Sequence, residues 1–182
     1  MNEVTRVLVV DDNVDIQRDF AKVLAAPASD GELDALQAAL FGATAAAAAV
    51  PAAPPRDLVC VGGGAEGLAT CRQAVAEGRP FTLAFVDMRM PGGWDGLRTI
   101  RELWQVAPDL DVVICTAYSD HDLDAVAQQL GVPERLLVLK KPFDGVEVRQ
   151  FVAAAAARRR VAAFAATAQA AAVGSLSLPP DG

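Results

Sequence analysis

Five short apolar runs, each stopping at a polar, charged or glycine residue, constrain this chain more than any other feature of its sequence. Val7-Leu8-Val9-Val10 stops at Asp11-Asp12, Leu58–Val61 at Gly62, and Phe81–Val86 at Asp87. Asp111–Cys115 stops at Thr116, and Leu136–Leu139 at Lys140-Lys141-Pro142. Runs this short and this apolar read as strands buried on both faces, as in a parallel sheet. Between them, apolar residues recur at helical spacing: Ile16, Phe20, Val23 and Leu24, then Leu68, Cys71 and Val75, then Leu97, Ile100, Leu103 and Trp104. Leu123, Val126 and Leu130 suggest a fourth helix, and Val146 to about Ala157 a last one that has room to continue past Arg158-Arg159-Arg160. Strict strand–helix alternation calls for an α/β sandwich with a parallel sheet and right-handed crossovers.

An open parallel sheet binds its ligands beyond the carboxyl ends of its strands. Asp11, Asp12, Asp87, Thr116 and Lys141 all fall there. Three carboxylates in one pocket repel one another unless a cation joins them, and a hard divalent ion with oxygen ligands, Mg²⁺, suits a site that also handles phosphate. A lysine and a hydroxyl opposite the carboxylates would meet phosphoryl oxygens, and phosphoryl transfer demands chiefly positioning and charge neutralisation.

Four separate motifs, in order, resemble the receiver domain of bacterial two-component response regulators. They are the strand running into Asp11-Asp12, Asp87-Met88-Arg89-Met90-Pro91 with Asp95-Gly96 behind it, Thr116-Ala117, and Lys141-Pro142-Phe143. The resemblance covers roughly residues 5–26 and 57–155. It implies a flavodoxin-like, doubly wound sheet of order 2-1-3-4-5, and a phosphorelay function in which a sensor histidine kinase or histidine phosphotransfer protein phosphorylates Asp87. It further implies that Asp12 and Asp87 ligate Mg²⁺ directly, Asp11 mainly through a water, and the Arg89 backbone carbonyl completes the protein ligands. Lys141 would pair with the phosphoryl oxygens, and Thr116 would move to hydrogen-bond them. Such a chain is no enzyme beyond self-phosphorylation from small donors and self-dephosphorylation. Arg89 and Tyr118 stand where the family sets the hydrolysis rate, and their bulk implies a slow loss of phosphate.

Three departures from the family pattern stand out. Asp12 and Asp87 are 75 residues apart, longer than usual, because an Ala/Pro-rich segment at about 27–56 is inserted after the first helix. Ser29 and Glu32 form a capping box there, ahead of Leu33, Leu36 and Leu40. Loop closure costs grow only logarithmically with length, so the pocket tolerates the insertion. The Gly92-Gly93-Trp94 loop is one residue longer than the common version and looks like that of receivers attached to sensor kinases or cyclic-dinucleotide enzymes. Val138 replaces the aromatic residue that usually swings inward on activation, which puts the familiar readout in doubt.

Composition narrows the partners. A net charge of −7, with Arg158–Arg160 the one basic run, argues against a nucleic-acid surface. Three cysteines without a CxxC spacing fit reduced thiols better than disulfides or zinc. No signal peptide is visible, and the Ala-rich stretch near 153–173 is too polar to span a bilayer, so a cytoplasmic protein is expected. The expected organisation is a receiver domain over 1–157, then an Ala-rich helical extension and a fraying tail over 158–182. That extension reads equally as a connector to an output domain or as the contact of a homodimer. Rival readings are a dinucleotide-binding domain using the GxGxxG match at Gly62–Gly67, an aspartate-nucleophile phosphatase, and a non-phosphorylated interaction module. Asp95 reads as a helix cap, and His121, the sole histidine, as a surface residue.

Overall fold

The computed structural model describes residues 4–25, 56–117, 130–131 and 135–175, with side chains to residue 169. The capping box at Ser29 and Glu32, the helix expected around Leu123 and Val126, Tyr118, His121 and the tail beyond Ser175 lie outside the described residues. The described elements are β1 (Thr5–Val10), α1 (Val14–Ala25), β2 (Arg56–Val61), α2 (Gly64–Ala76), β3 (Leu83–Asp87), α3 (Gly96–Val106), β4 (Asp111–Ala117), β5 (Leu136–Lys141) and α4 (Gly145–Ser175). The five strands form one parallel sheet of order β2-β1-β3-β4-β5. This is the doubly wound order implied by the motifs.

Side-chain alternation along the strands builds two cores. Leu8 and Val10 face one side with Ala84, Val86, Val112 and Ile114, where α2 and α3 supply Cys71, Ala74, Ile100 and Leu103. Val7 and Val9 face the other with Leu83, Phe85, Val113 and Cys115, where α1 and α4 supply Phe20, Leu24, Val148 and Val152. The period of two is why β1, β3 and β4 can be apolar at nearly every position. Phe20 anchors the second core, with its ring centroid 4.7 Å from that of Phe85 and 4.8 Å from that of Phe143. Burying a side chain of this size stabilises by about 1.5–3 kcal/mol.

Two strands run further than their apolar cores. Backbone pairing carries β4 through Ala117 and β5 through Lys141, because Thr116 lies opposite Lys140 and Ala117 opposite Lys141 in the ladder. β3 begins at Leu83 rather than Phe81. Helix α4 is a single helix from Gly145 to Ser175, roughly 46 Å at 1.5 Å per residue. Among its described side chains, the buried ones end at Ala156, and almost everything from there to residue 169 is exposed. All three cysteines are free thiols, with Cys71 and Cys115 buried.

Candidate functional site

The strand order reverses at β1, whose neighbours are β2 on one side and β3 on the other. The crevice between the carboxyl ends of β1 and β3 is therefore the switch point at which a doubly wound sheet offers a ligand site. Asp11 and Asp12 follow β1 directly, and Asp87 is the last residue of β3. One carboxylate oxygen from each of the three lies within 4.8 Å of the others.

Lys141 enters this cluster from the end of β5. Its Nζ donates to Asp11 Oδ2 at 2.6 Å and to Asp87 Oδ1 at 2.8 Å. Asp11 and Asp87 are buried, whereas Asp12 is exposed at the rim. Burial pushes the Asp87 carboxyl above its usual pKa; hydrogen bonding and attraction from Lys141 oppose this, and repulsion from Asp11 adds to it. Burial by itself would lower the Lys141 ammonium, but hydrogen bonds and attraction from Asp11 and Asp87 outweigh it, and its pKa is raised. Lys141 thus stays protonated between two carboxylates that are short of solvent. Lys140, the other candidate cation, is exposed on the opposite pleat of β5, so the strand's alternation selects Lys141.

Other contacts fix the frame around these groups. The Asn13 N–H donates to Asp11 Oδ1 at 2.9 Å, and Gln17 Nε2 donates to the Asp11 carbonyl at 2.7 Å, so the first turn of α1 holds the Asp11 loop. The Arg89 N–H donates to Asp87 Oδ2 at 3.2 Å, and the Met88 N–H donates to the Cys115 carbonyl at 3.2 Å. Asp95 caps α3, accepting from the Arg98 N–H at 2.7 Å, as its position after the loop suggests. Gly96 is needed for close approach: a Cβ there would lie 2.7 Å from the Asp87 carbonyl oxygen and 2.8 Å from Met88 Cα. The Lys141–Pro142 peptide is cis.

The structure brings Asp11, Asp12, Asp87 and Lys141 into one pocket. Thr116 sits on the neighbouring strand, one residue past the Cys115 that pairs with Asp87, and is buried. Its hydroxyl donates to the Ala117 carbonyl at 3.2 Å. Arg89 meets Asp87 through its backbone N–H. Gln17, which holds the Asp11 carbonyl, belongs to none of the four motifs. The signal available was a polar residue one turn into α1, between the inward Ile16 and Phe20.

The glycine-rich loop Gly62–Gly67 has a packing explanation. It follows β2, the edge strand, and not β1 or β3 at the switch point, and it lies beside the end of β1, where the Asp11 N–H donates to the Val61 carbonyl at 3.1 Å. A Cβ at Gly64 would strike the Thr99 hydroxyl at 2.1 Å, and one at Gly67 would press on Val10 at 3.0 Å. These residues let α2 approach α3 and β1. The Gly62 N–H is occupied by the Glu66 carboxylate at 3.1 Å.

The donor set suits a hard divalent cation: three carboxylates, all-oxygen, close enough to share one ion. No described helix is long and apolar enough to cross a membrane.

Comparison with known proteins agrees with this geometry. Residues 57–153, more than half of the chain, match the family model of the response regulator receiver domain. The chain is 33% identical over 94 residues to the uncharacterized transcriptional regulatory protein YhcZ of Bacillus subtilis (strain 168), covering 52% of this chain and 42% of that protein. It is 33% identical over 78 residues to sporulation initiation phosphotransferase F of the same organism, covering 43% and 59%. The chain therefore spans well under two thirds of either relative. In fold it is similar to the solved structure of the adenylate cyclase from Rhodopirellula baltica, with a TM-score of 0.63, 19% identity, and 93% of this chain and 98% of that one covered. With its sheet order, its acidic pocket and its family match in agreement, this chain belongs to the response regulator receiver domain family.

Proposed function

We propose that Asp87 is the phosphoacceptor of this receiver, taking a phosphoryl group from the phosphohistidine of a sensor histidine kinase or a histidine phosphotransfer protein. The observation that carries the reading is the Lys141 ammonium, hydrogen-bonded to both Asp11 and Asp87 where three carboxylates converge. A carboxylate oxygen of Asp87 attacks phosphorus as the bond from phosphorus to the imidazole nitrogen breaks. The donor's imidazole, protonated on its other ring nitrogen, leaves with the electron pair of that bond, so the products are an acyl phosphate on Asp87 and a neutral histidine on the donor.

Each residue has a physical task in that step. The Arg89 N–H, at 3.2 Å from Asp87 Oδ2, orients the carboxylate. Lys141 holds the nucleophile ionised against the upward push of burial and supplies a positive charge for the incoming phosphoryl oxygens. Asp11, Asp12 and Asp87 would hold Mg²⁺, with the Arg89 carbonyl as a further ligand. Bound there, the ion neutralises charge on the phosphoryl oxygens and on the crowded carboxylates. Thr116 is the hydroxyl nearest in sequence order to the strand end beside Asp87. We assign it the hydrogen bond to the phosphorylated product, which requires it to leave the Ala117 carbonyl.

The output side differs from the usual pattern. Val138 is a solvent-facing aliphatic on β5, 37% exposed, with no ring to swing inward. The readout is therefore assigned to the backbone following Thr116. The chain acts as a phosphoacceptor with no turnover chemistry of its own beyond acquiring phosphate from small donors and losing it by hydrolysis. Its acidity, −7 overall, fits a protein partner and no direct contact with nucleic acid. A 1–157 receiver followed by an extension over 158–182 fits the end of burial on α4 at Ala156.

Beryllofluoride with Mg²⁺, a stable mimic of an aspartyl phosphate, tests the pocket, with the fluorescence of Trp94 as readout. Saturable binding that needs Mg²⁺ and is lost in Asp87→Asn is expected. Saturable binding of NAD(H) at the glycine loop, with no response to beryllofluoride, would support the dinucleotide reading instead.

A further inference from the structure

At the opposite end of the sheet from Asp87, the first residue of β4 is a buried carboxylate. The Asp111 side chain is 5% exposed, and its Oδ1 has no hydrogen-bond partner. Arg158 Nη2 of α4 lies 3.4 Å from Asp111 Oδ2, and Arg135 Nη1 lies 4.0 Å from Oδ1. Arg135 is itself engaged more closely by Asp109, at 3.0 Å. A buried oxygen without a hydrogen bond is costly, and Arg158, 44% exposed, would not be left as a buried charge if the carboxylate were absent. An aliphatic side chain would thus serve the core here as well as Asp111 does, and the carboxylate calls for another explanation.

The surroundings of α4 supply one. Among the described side chains, the buried apolar anchors of this helix, Val148, Val152, Ala155 and Ala156, all precede Arg158. Beyond them the helix overhangs a cavity of about 660 Å³, walled by Val75, Phe81, Val106 and Leu110 on the domain side and by Ala162 and Ala163 on the helix side. Asp111 and Arg158 are both part of the lining of this space, so their pair joins the domain side to the helix side. Arg158 is 44% exposed, so the pair is open to water and salt at one end.

We propose that Asp111 and Arg158 form a releasable clasp that fastens residues 157–169 of α4, as a strap, against the amino-terminal edge of the sheet. Closed, the strap roofs the cavity. Released, it swings free at Ala156 and carries with it Val161 and Phe164, which are 70% and 78% exposed. The clasp thus sets where the chain leaves the domain and how those two apolar side chains are presented.

Amide hydrogen exchange on the full chain tests this, comparing wild type with Arg158→Gln and Asp111→Leu. Both variants should speed exchange in residues 157–169 by roughly three- to fivefold, the scale of a partly exposed ion pair. Protection of β1, β3 and β4 should not change, and Asp111→Leu should melt no lower than wild type. About 1 M salt, where screening acts within ~3 Å, should speed the strap in wild type but leave Arg158→Gln unchanged. Unaltered strap exchange in Arg158→Gln, or equal loss of sheet and strap protection in that variant, would overturn the proposal.

Discussion

Replacing Lys141 with methionine removes the ammonium that bridges Asp11 and Asp87 while keeping most of the side chain's volume. Two charge-assisted hydrogen bonds, at 2.6 and 2.8 Å, disappear. Bonds of this kind contribute about 1.5–3 kcal/mol each, and breaking a buried pair by deleting one partner costs about 3–5 kcal/mol. The Lys141 side chain is 19% exposed, so water relieves part of the cost and about 3 kcal/mol is the expected loss near pH 8. The sign of its pH dependence follows from Asp87. Asp87 already has its pKa raised, by burial first and repulsion from Asp11 as well, against the pull of Lys141. Without the ammonium it rises further. An acid whose folded pKa is raised gives stability that is present below its unfolded pKa and lost as pH climbs through the folded value. The deficit of Lys141→Met should therefore shrink from about pH 8 to about pH 5. Mg²⁺ no longer competes with an ammonium in the variant. At a hundred times its dissociation constant, bound ion adds about 2.7 kcal/mol, so at any one Mg²⁺ concentration the gain should be larger in the variant than in wild type. Urea unfolding followed by circular dichroism, with and without Mg²⁺ at both pH values, measures all three quantities. A loss under about 1 kcal/mol at pH 8 without Mg²⁺, or equal Mg²⁺ gains in both proteins, would refute the reasoning.

Gly96→Ala forces a Cβ to within 2.8 Å of Met88 Cα and 2.7 Å of the Asp87 carbonyl oxygen, so it should cost about 1–3 kcal/mol and weaken beryllofluoride binding, measured by titration. Phe20→Ala removes a fully buried ring between Phe85 and Phe143 and should cost about 3–5 kcal/mol in denaturant unfolding. Asp111 has its pKa raised by burial, against the attraction of Arg158 and Arg135. Asp111→Asn should therefore gain stability relative to wild type as pH rises through the raised value, and the two should converge in strong acid. Arg89→Ala should shorten the lifetime of the aspartyl phosphate, followed by phosphate release, if its side chain shields the attacking water.

The fold was legible because its strands are short, apolar and end in chemistry. Val7–Val10 could be assigned to a sheet buried on both faces from the run alone, and the two cores show why: odd and even residues of β1 face different helix layers. Asp87 and Lys141 were legible through their places at strand ends, and the pleat of β5 explains physically why Lys141 and not Lys140 reaches the pocket. The supporting contacts were harder to see. Gln17 reaches a backbone carbonyl, and such a bond leaves no periodic trace in sequence. The ends of β4 and β5 ran past their apolar stretches because backbone pairing continues through Thr116, Lys140 and Lys141, polar residues that a hydrophobicity pattern discounts. The glycines of Gly62–Gly67 matched a dinucleotide fingerprint because close helix packing and phosphate approach demand the same missing Cβ. Only the edge position of β2 separates the two. The reach of α4 to Ser175 was open in the sequence, since alanine favours helix whether or not anything covers it.

The most direct measurement is the mass of the chain after incubation with acetyl phosphate and Mg²⁺, with peptide mapping to place any adduct. One phosphoryl group is expected, carried by Asp87, absent from Asp87→Asn and strongly reduced when Mg²⁺ is chelated. An adduct on another residue, or a folded wild-type chain that takes up no phosphate under these conditions, would contradict it.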